Sequence, residues 1–158
     1  MLSILAMSRA GEMTGEMTGE MAGEMAGEMM AAARQLRRAF NGVCTAVRVH
    51  GCDVPQAHAN TIRLHVARAQ HAAEDLRDAA GVPGCTSAAE QSAKVLRQSA
   101  TVSLYLLEVV AERLRQQLQF QLHSASREAG LRLHAAILFA LVAAGNALPA
   151  FCKSLRRP

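Results

Sequence analysis

Aromatic side chains are almost missing from this 158-residue chain, which has one Tyr, four Phe and no Trp. Proteins that bind single-stranded nucleic acid without sequence preference stack the bases on exposed aromatic rings. The seventeen Lys and Arg residues are also scattered along the chain instead of being clustered in one patch. Both observations argue against a nucleic-acid partner.

Motifs of catalysis and of cofactor binding are missing as well. The chain contains no GxSxG, no GxxxxGK[ST], no GxGxxG and no HExxH sequence. Its four cysteines, Cys44, Cys52, Cys85 and Cys152, form no CxxC pair and are interpreted as reduced thiols of an intracellular protein. We therefore predict a protein that is not an enzyme and that holds no cofactor.

One short stretch leaves a metal site or a Cys–His enzyme open as an alternative. His50, Cys52 and Asp53 are almost adjacent, and His58 follows. However, Asp53 has a simpler role as the N-cap of a helix, and no second cluster completes a tetrahedral ligand set. We therefore assign no metal ligand.

The residues that are abundant are good helix formers. Ala, Leu, Gln, Glu and Arg dominate, while β-branched residues are sparse. The sequence predicts an all-α fold: an irregular antiparallel bundle of three to four helices behind a low-complexity, disordered N-terminal tail.

The tail is predicted from a strict four-residue repeat. Residues 11–30 read GEMTGEMTGEMAGEMAGEMM and hold six of the eight methionines. Interior glycines cost about 1 kcal/mol each relative to Ala, and glutamates four residues apart repel each other in a helix. A tail over 1–28 is therefore favoured over a helix that forms only against a partner. The expected domains are this tail, a helical bundle over 29–132 and an apolar C-terminal helix over 133–158 with a basic end.

Two apolar series predict the helix-packing interface. The first lies in a helix that begins at a capping box of Asp53 and Gln56, and its members alternate three and four apart: Ile62, Val66, Ala69, Ala73 and Leu76. The second lies in a long helix over about 88–127, and its members are four apart: Val102, Leu106, Val110, Leu114, Leu118 and Leu122. A spacing of four turns by about 40° per step, so the second series is expected to meet different neighbours along its length.

The C-terminal part contains the longest uncharged run. Residues 135–152 carry no charge, and KSLRRP follows. Eighteen residues reach the lower limit of a bilayer span, but Gly145, Asn146 and Pro149 weaken insertion. A membrane span, a surface-bound helix and a buried bundle helix all remain open. The candidate membrane residues are Ala135, Ile137, Leu138, Phe139, Leu141 and Val142.

These observations favour a non-enzymatic helical interaction or scaffold protein, with a protein partner or self-association through helix packing. The alternative is a tail-anchored or peripheral membrane protein held by residues 133–152. An intracellular location is expected, either cytoplasmic or at a membrane. A mitochondrial location remains a further alternative, because the stretch after Met30 is Arg-rich and free of acid and would resemble a targeting helix if translation began there.

Overall fold

Four α-helices make up the structure. The computed structural model describes residues 19–80, 82, 84 and 86–155, with side chains for 26–79, 82, 84 and 87–148. The helices are α1 (Gly19–His50), α2 (Gln56–Ala80), α3 (Thr86–Leu118) and α4 (Ser124–Leu155). The predicted all-α fold is confirmed, and the described residues contain no strand.

Helices that follow one another in the chain run antiparallel, and so do α1 and α4. Gly42 of α1 lies against Ile137 and Leu133 of α4, whereas His50, farther along α1, lies against Gly130, which comes earlier in α4. The short connections between successive helices require the same arrangement for the other neighbours.

The bundle has a rhombic cross-section. α1 and α3 contact each other and also contact both remaining helices. α2 and α4 contact only α1 and α3, and their described residues do not meet each other. α1 and α3 therefore form the short diagonal, while α2 and α4 occupy the two outer corners, where a helix leaves a wide face uncovered.

Alanine makes the interior compact. About half of the buried apolar residues are alanines, which let the helices approach closely, and Met29, Leu36, Leu96 and Leu107 fill the space between them. The predicted series in α2 lies in this interior, since its five members are all buried: Ile62, Val66, Ala69, Ala73 and Leu76.

The predicted end of the long helix was wrong. α3 ends at Leu118 and residues 119–123 form the connection, whereas the REAG sequence at 127–130, interpreted as the helix end, lies inside α4. Gly130 lies inside α4, at a point where its backbone packs closely against α3. A Cβ atom there would lie 2.6 Å from Cδ2 of Leu118. This glycine permits close helix packing instead of ending a helix.

The second apolar series, whose members lie four residues apart and which we call the four-residue ladder, is only partly buried. Val110, Leu114 and Leu118 are buried, but Val102 is 37% exposed and Leu122, in the connection, is 95% exposed. The ladder turns away from the core because its spacing exceeds the helical period. The buried face instead alternates three and four apart, through Ala89, Ala93, Leu96, Ala100, Ser103, Leu107, Val110 and Leu114. Ser103, which an apolar pattern omits, satisfies its hydroxyl by donating to the Ser99 carbonyl at 2.8 Å.

The start of α1 lies inside the repeat. The predicted tail covers 1–28, of which 1–18 lie outside the described residues, but 19–28 are helical. Ala26 is buried, and Met29 follows three residues later on the same face. The repeat therefore adds about ten residues to α1.

Asp53 does not act as the predicted N-cap of α2. It ties the α1–α2 connection to α3: its N–H donates to Oε1 of Gln117 at 2.6 Å, and its carbonyl accepts from Nε2 of the same amide at 2.8 Å. Arg113 adds a bond from Nε to that carbonyl at 2.9 Å and an ion pair with the carboxylate at 3.2 Å. The first bond of α2 instead joins the Ala59 N–H to the Pro55 carbonyl.

Removing the Gln117 amide should loosen this connection. We expect Gln117→Ala to lower the free energy of unfolding by about 1–2 kcal/mol, since two hydrogen bonds to the backbone are lost. Gln116→Ala, at the neighbouring exposed position, is the control and should change stability by less than about 0.5 kcal/mol. Urea unfolding followed by circular dichroism measures both, and equal effects would contradict the tie.

Candidate interaction surface on helix α4

Helix α4 is apolar around its whole circumference over residues 133–145, apart from the buried His134. Its inner face, with Ile137, Leu141 and Ala144, is buried in the bundle. Its outer face carries Leu138, Phe139 and Val142, which are 43%, 75% and 61% exposed. We call the exposed residues Leu131, Ala135, Leu138, Phe139 and Val142 the α4 ridge.

The corner position of α4 does not by itself explain this exposure. α2 occupies the equivalent opposite corner, but its outward face is mostly polar. The exposed polar residues of α2 include Asn60, Arg63, Arg68, His71, Asp75, Arg77 and Asp78. Two helices in equivalent environments therefore differ in what they present to the surroundings, and only α4 presents an apolar ridge.

A shallow groove runs along each side of the ridge. The groove toward α3 is lined by Leu104, Glu108 and Gly145, together with ridge residues. The groove toward α1 is lined by Gln35, Arg38 and Ala136. The ridge with its two grooves has the shape of a helix-packing surface, on which a second helix would interdigitate.

The two grooves carry opposite charge. Arg38 lies on the α1 side, with the exposed Arg34 one turn earlier. Glu108 and Glu112 lie on the α3 side. Arg115 forms an ion pair with Glu112, and its hydrogen bond lowers the pKa of that carboxyl. Glu108 belongs to none of the ion pairs among the described residues, so the α3 side keeps negative charge.

His134 fastens the ridge to the bundle from beneath. Its ring is 7% exposed, and Nε2 lies 3.0 Å from the carbonyl oxygen of Ala111 in α3. This hydrogen bond satisfies a polar group that would otherwise be costly to bury between α3 and α4. It fixes one side of α4 and leaves the opposite, outward side free for contact.

The six candidate membrane residues separate into two groups. Ile137 and Leu141 point into the bundle. The other four, which are Ala135, Leu138, Phe139 and Val142, lie on the ridge. The sequence predicted an apolar segment but did not distinguish its inner from its outer face, and it gave no indication of Arg38 or Glu108, which the fold brings beside it.

In the alternative site around His50, Cys52, Asp53 and His58, only Cys52 is buried in the core. Cys52 is 5% exposed, and burial raises the pKa of its thiol, which lowers the thiolate fraction. Asp53 is bound to Arg113. Within the described parts of the chain, no three His, Cys, Asp or Glu side chains come together as metal ligands would.

The length and composition of α4 and the comparisons with known proteins complete the description of this surface. By length and composition, Ser124–Leu148 of α4 is long and apolar enough to cross a membrane; its most apolar 18-residue window has a mean hydropathy of 1.6, and 33% of that window is buried. No family model, curated protein or solved structure matches this chain. The function is therefore inferred from the geometry of α4.

Proposed function

We propose that this is a non-enzymatic helical interaction protein that docks a protein partner on the α4 ridge. The observation that carries the proposal is the contrast between the two corner helices. Both helices have a wide face that no other helix contacts. On α2 this face carries mostly polar and charged side chains, whereas on α4 it exposes Phe139 and Val142 to water. Contiguous exposed apolar surface of this kind marks interaction sites in soluble proteins.

The ridge also has the composition of an interface centre. Phe139 is an aromatic side chain that can act as an anchor, and aromatic anchors supply much of the binding energy in protein interfaces. Arg38 and Glu108 lie at the sides of the ridge, where a polar rim is expected. A partner helix laid along α4 would bury the ridge and leave these charges at the edge.

A photo-crosslinking amino acid placed at residue 139 tests the proposal in cells that express the full chain. We expect protein adducts from position 139, because a partner covers it. The control is the same amino acid at Leu64, which is 49% exposed on the outer face of α2. Position 64 should give few adducts, since the face around it is polar.

The variant Phe139→Glu with Val142→Glu sharpens the result. Both side chains are exposed, so the double variant should fold normally, but two carboxylates would be buried on docking. We expect adducts from a crosslinker at the exposed Ala135 to disappear in this variant while far-UV circular dichroism is unchanged. No protein adduct from the crosslinker at residue 139 in the otherwise unchanged chain would refute the proposal.

A membrane-surface role is the second candidate function. It is favoured by the uncharged run over 135–152 and by the basic residues that follow, which suit anionic headgroups. A helix on the bilayer surface could insert the ridge while the inner face of α4 stays in the bundle. Flotation with liposomes that contain phosphatidylserine tests it: binding that is lost in the Phe139→Glu, Val142→Glu variant supports this role, and wild type left at the bottom of the gradient excludes it.

A further inference from the structure

We propose that residues 2–7 of this chain, LSILAM, cover the α4 ridge around Phe139 when no partner is bound, so that a partner must displace them. The inference rests on the proposed function, that the ridge docks a protein, and adds an occupant from the chain itself. It is based on the composition of the segment that precedes α1, on the reach of that segment and on the charges along its path.

The segment that precedes α1 has an apolar part and an acidic part. Residues 1–10 read MLSILAMSRA and carry a single charged side chain. After Met1, their large apolar side chains are Leu2, Ile4, Leu5 and Met7. Residues 11–18 read GEMTGEMT, the start of the repeat, and carry two glutamates. An acidic linker therefore connects an apolar stretch to a bundle that exposes an apolar ridge, and contact between the two removes apolar surface from water.

The apolar stretch is close enough to reach the ridge. Gly42 faces Ile137, and this contact sets the relative heights of the antiparallel helices α1 and α4. At 1.5 Å per residue, Gly19 at the start of α1 then lies roughly 32 Å from Phe139 along the bundle axis. The eleven residues 8–18 span up to roughly 36 Å when they are extended. The linker is therefore just long enough to bring the apolar stretch to this part of the ridge.

A weak contact is enough to keep the ridge covered. Because the linker tethers the stretch to the bundle, the effective concentration of the stretch at the ridge is of millimolar order. A contact with a dissociation constant of about 1 mM between separate molecules would be half closed in the tethered chain, and a stronger one would be mostly closed. A partner that binds the ridge more tightly can still displace the segment.

Basic side chains line the path along α1. Arg34 and Arg38 are exposed one turn apart, and neither belongs to an ion pair among the described residues. Arg34 lies roughly 22 Å from Gly19 along the helix. Glu12 stands seven residues before Gly19, a stretch that spans roughly 23 Å when extended. Glu12 can therefore pair with Arg34 while the apolar stretch lies further along, at the ridge.

The opposite side of the ridge would repel the linker. Glu108 and Glu112 line the groove toward α3, and Glu112 alone of these two has a cation partner, Arg115, among the described residues. Like charges there oppose the passage of an acidic chain, so the α1 side is preferred. At the start of α1 the glutamates of the repeat are offset in charge by the basic end of α4, which antiparallel packing brings beside them.

Two charges on the outward face of α4 limit the covered area. Arg132 and Glu128 are exposed seven and eleven residues before Phe139, on the same side of the helix. They lie roughly 10 and 16 Å further from the start of α1 than Phe139 does. The segment is therefore expected to cover Leu138, Phe139 and Val142 and to leave both charges in water.

A photo-crosslinking amino acid at residue 139 of the purified full-length protein tests the inference. We expect a product with the mass of one chain at low micromolar concentration. Trypsin should release from it the peptide 1–9, MLSILAMSR, linked to the peptide 133–153. The control position is Leu64 on the outer face of α2, where the same amino acid should give no link to peptide 1–9.

Charge variants of the full-length protein show which features hold the segment. Ile4→Glu with Leu5→Glu should lower the linked fraction at least about tenfold, since two carboxylates would be buried against apolar side chains. Arg34→Glu should lower it by about two- to fivefold, because an exposed ion pair is replaced by like charges. Arg48→Glu, at an exposed position near the other end of α1, is the matched control and should leave it unchanged. Far-UV circular dichroism shows whether each variant keeps the helical fold.

The outcomes separate this inference from the docking function. No link between the two peptides in the purified protein refutes the inference, while protein adducts from residue 139 in cells would still support docking. A link found only in products with the mass of two chains also refutes it, because the segment would then come from a second copy. A one-chain link without any protein adduct in cells, even in the Ile4→Glu, Leu5→Glu variant, supports the covering and refutes docking. Where both proposals hold, that variant should increase the adducts with the partner, because the ridge is freed.

Discussion

Leu114→Ala is expected to lower the free energy of unfolding by about 2–5 kcal/mol. Leu114 lies on α3, one helix of the short diagonal, and is 0% exposed. Truncation removes the transfer free energy of the isobutyl group and leaves a cavity among helices that alanines already hold close together. Because α3 contacts all three other helices, the surroundings have little freedom to collapse into that cavity.

Leu122→Ala is the matched control, since both leucines belong to the four-residue ladder in the sequence. Leu122 is 95% exposed in the α3–α4 connection, so its truncation should change stability by less than about 0.5 kcal/mol. Chemical unfolding followed by circular dichroism measures both variants. Similar losses at both positions would show that the ladder, and not the three-four alternation, faces the core.

The sequence predicted the helices in which the apolar residues repeat at the helical period. In α2 the apolar residues repeat at the helical period, and all five members of the series are buried. The end of α3 was not predictable in the same way. Its apolar spacing continues to Leu122, and Gly130 resembles a helix terminator until the contact with Leu118 is known. The meaning of that glycine depends on a neighbouring helix, which a local pattern does not include.

The candidate surface was predictable only as a segment. The run over 135–152 is evident in the sequence, but a helix that is apolar on every side has no periodic signal to separate its inner from its outer face. The structure makes that separation by placing Ile137 inward and Phe139 outward. The flanking charges come from Arg38 and Glu108, which are 70 residues apart in sequence (108 − 38) and are brought to one surface only by the bundle.

Gly42→Ala is expected to lower the free energy of unfolding by about 1–3 kcal/mol, although alanine is the better helix former. A Cβ atom at residue 42 would lie 2.6 Å from Cγ1 and 3.1 Å from Cδ1 of Ile137. Ile137 is 1% exposed on the inner face of α4, so its side chain is packed between the helices. The overlap would push α4 away from α1, and the strain exceeds the gain in helix propensity.

Gly27→Ala, on the same helix, should have the opposite sign. Gly27 lies in the repeat, is exposed, and a Cβ atom there would meet nothing within 4 Å. The helix propensity then acts alone and should raise the free energy of unfolding by about 0.5–1 kcal/mol. Parallel urea titrations of the two variants therefore test two features together. Lower stability of Gly42→Ala shows that α1 and α4 pack at backbone contact, and unchanged stability would contradict the close approach of α4 that sets its ridge outward. Higher stability of Gly27→Ala shows that the repeat is helical in solution, and unchanged stability would contradict the start of α1 at Gly19.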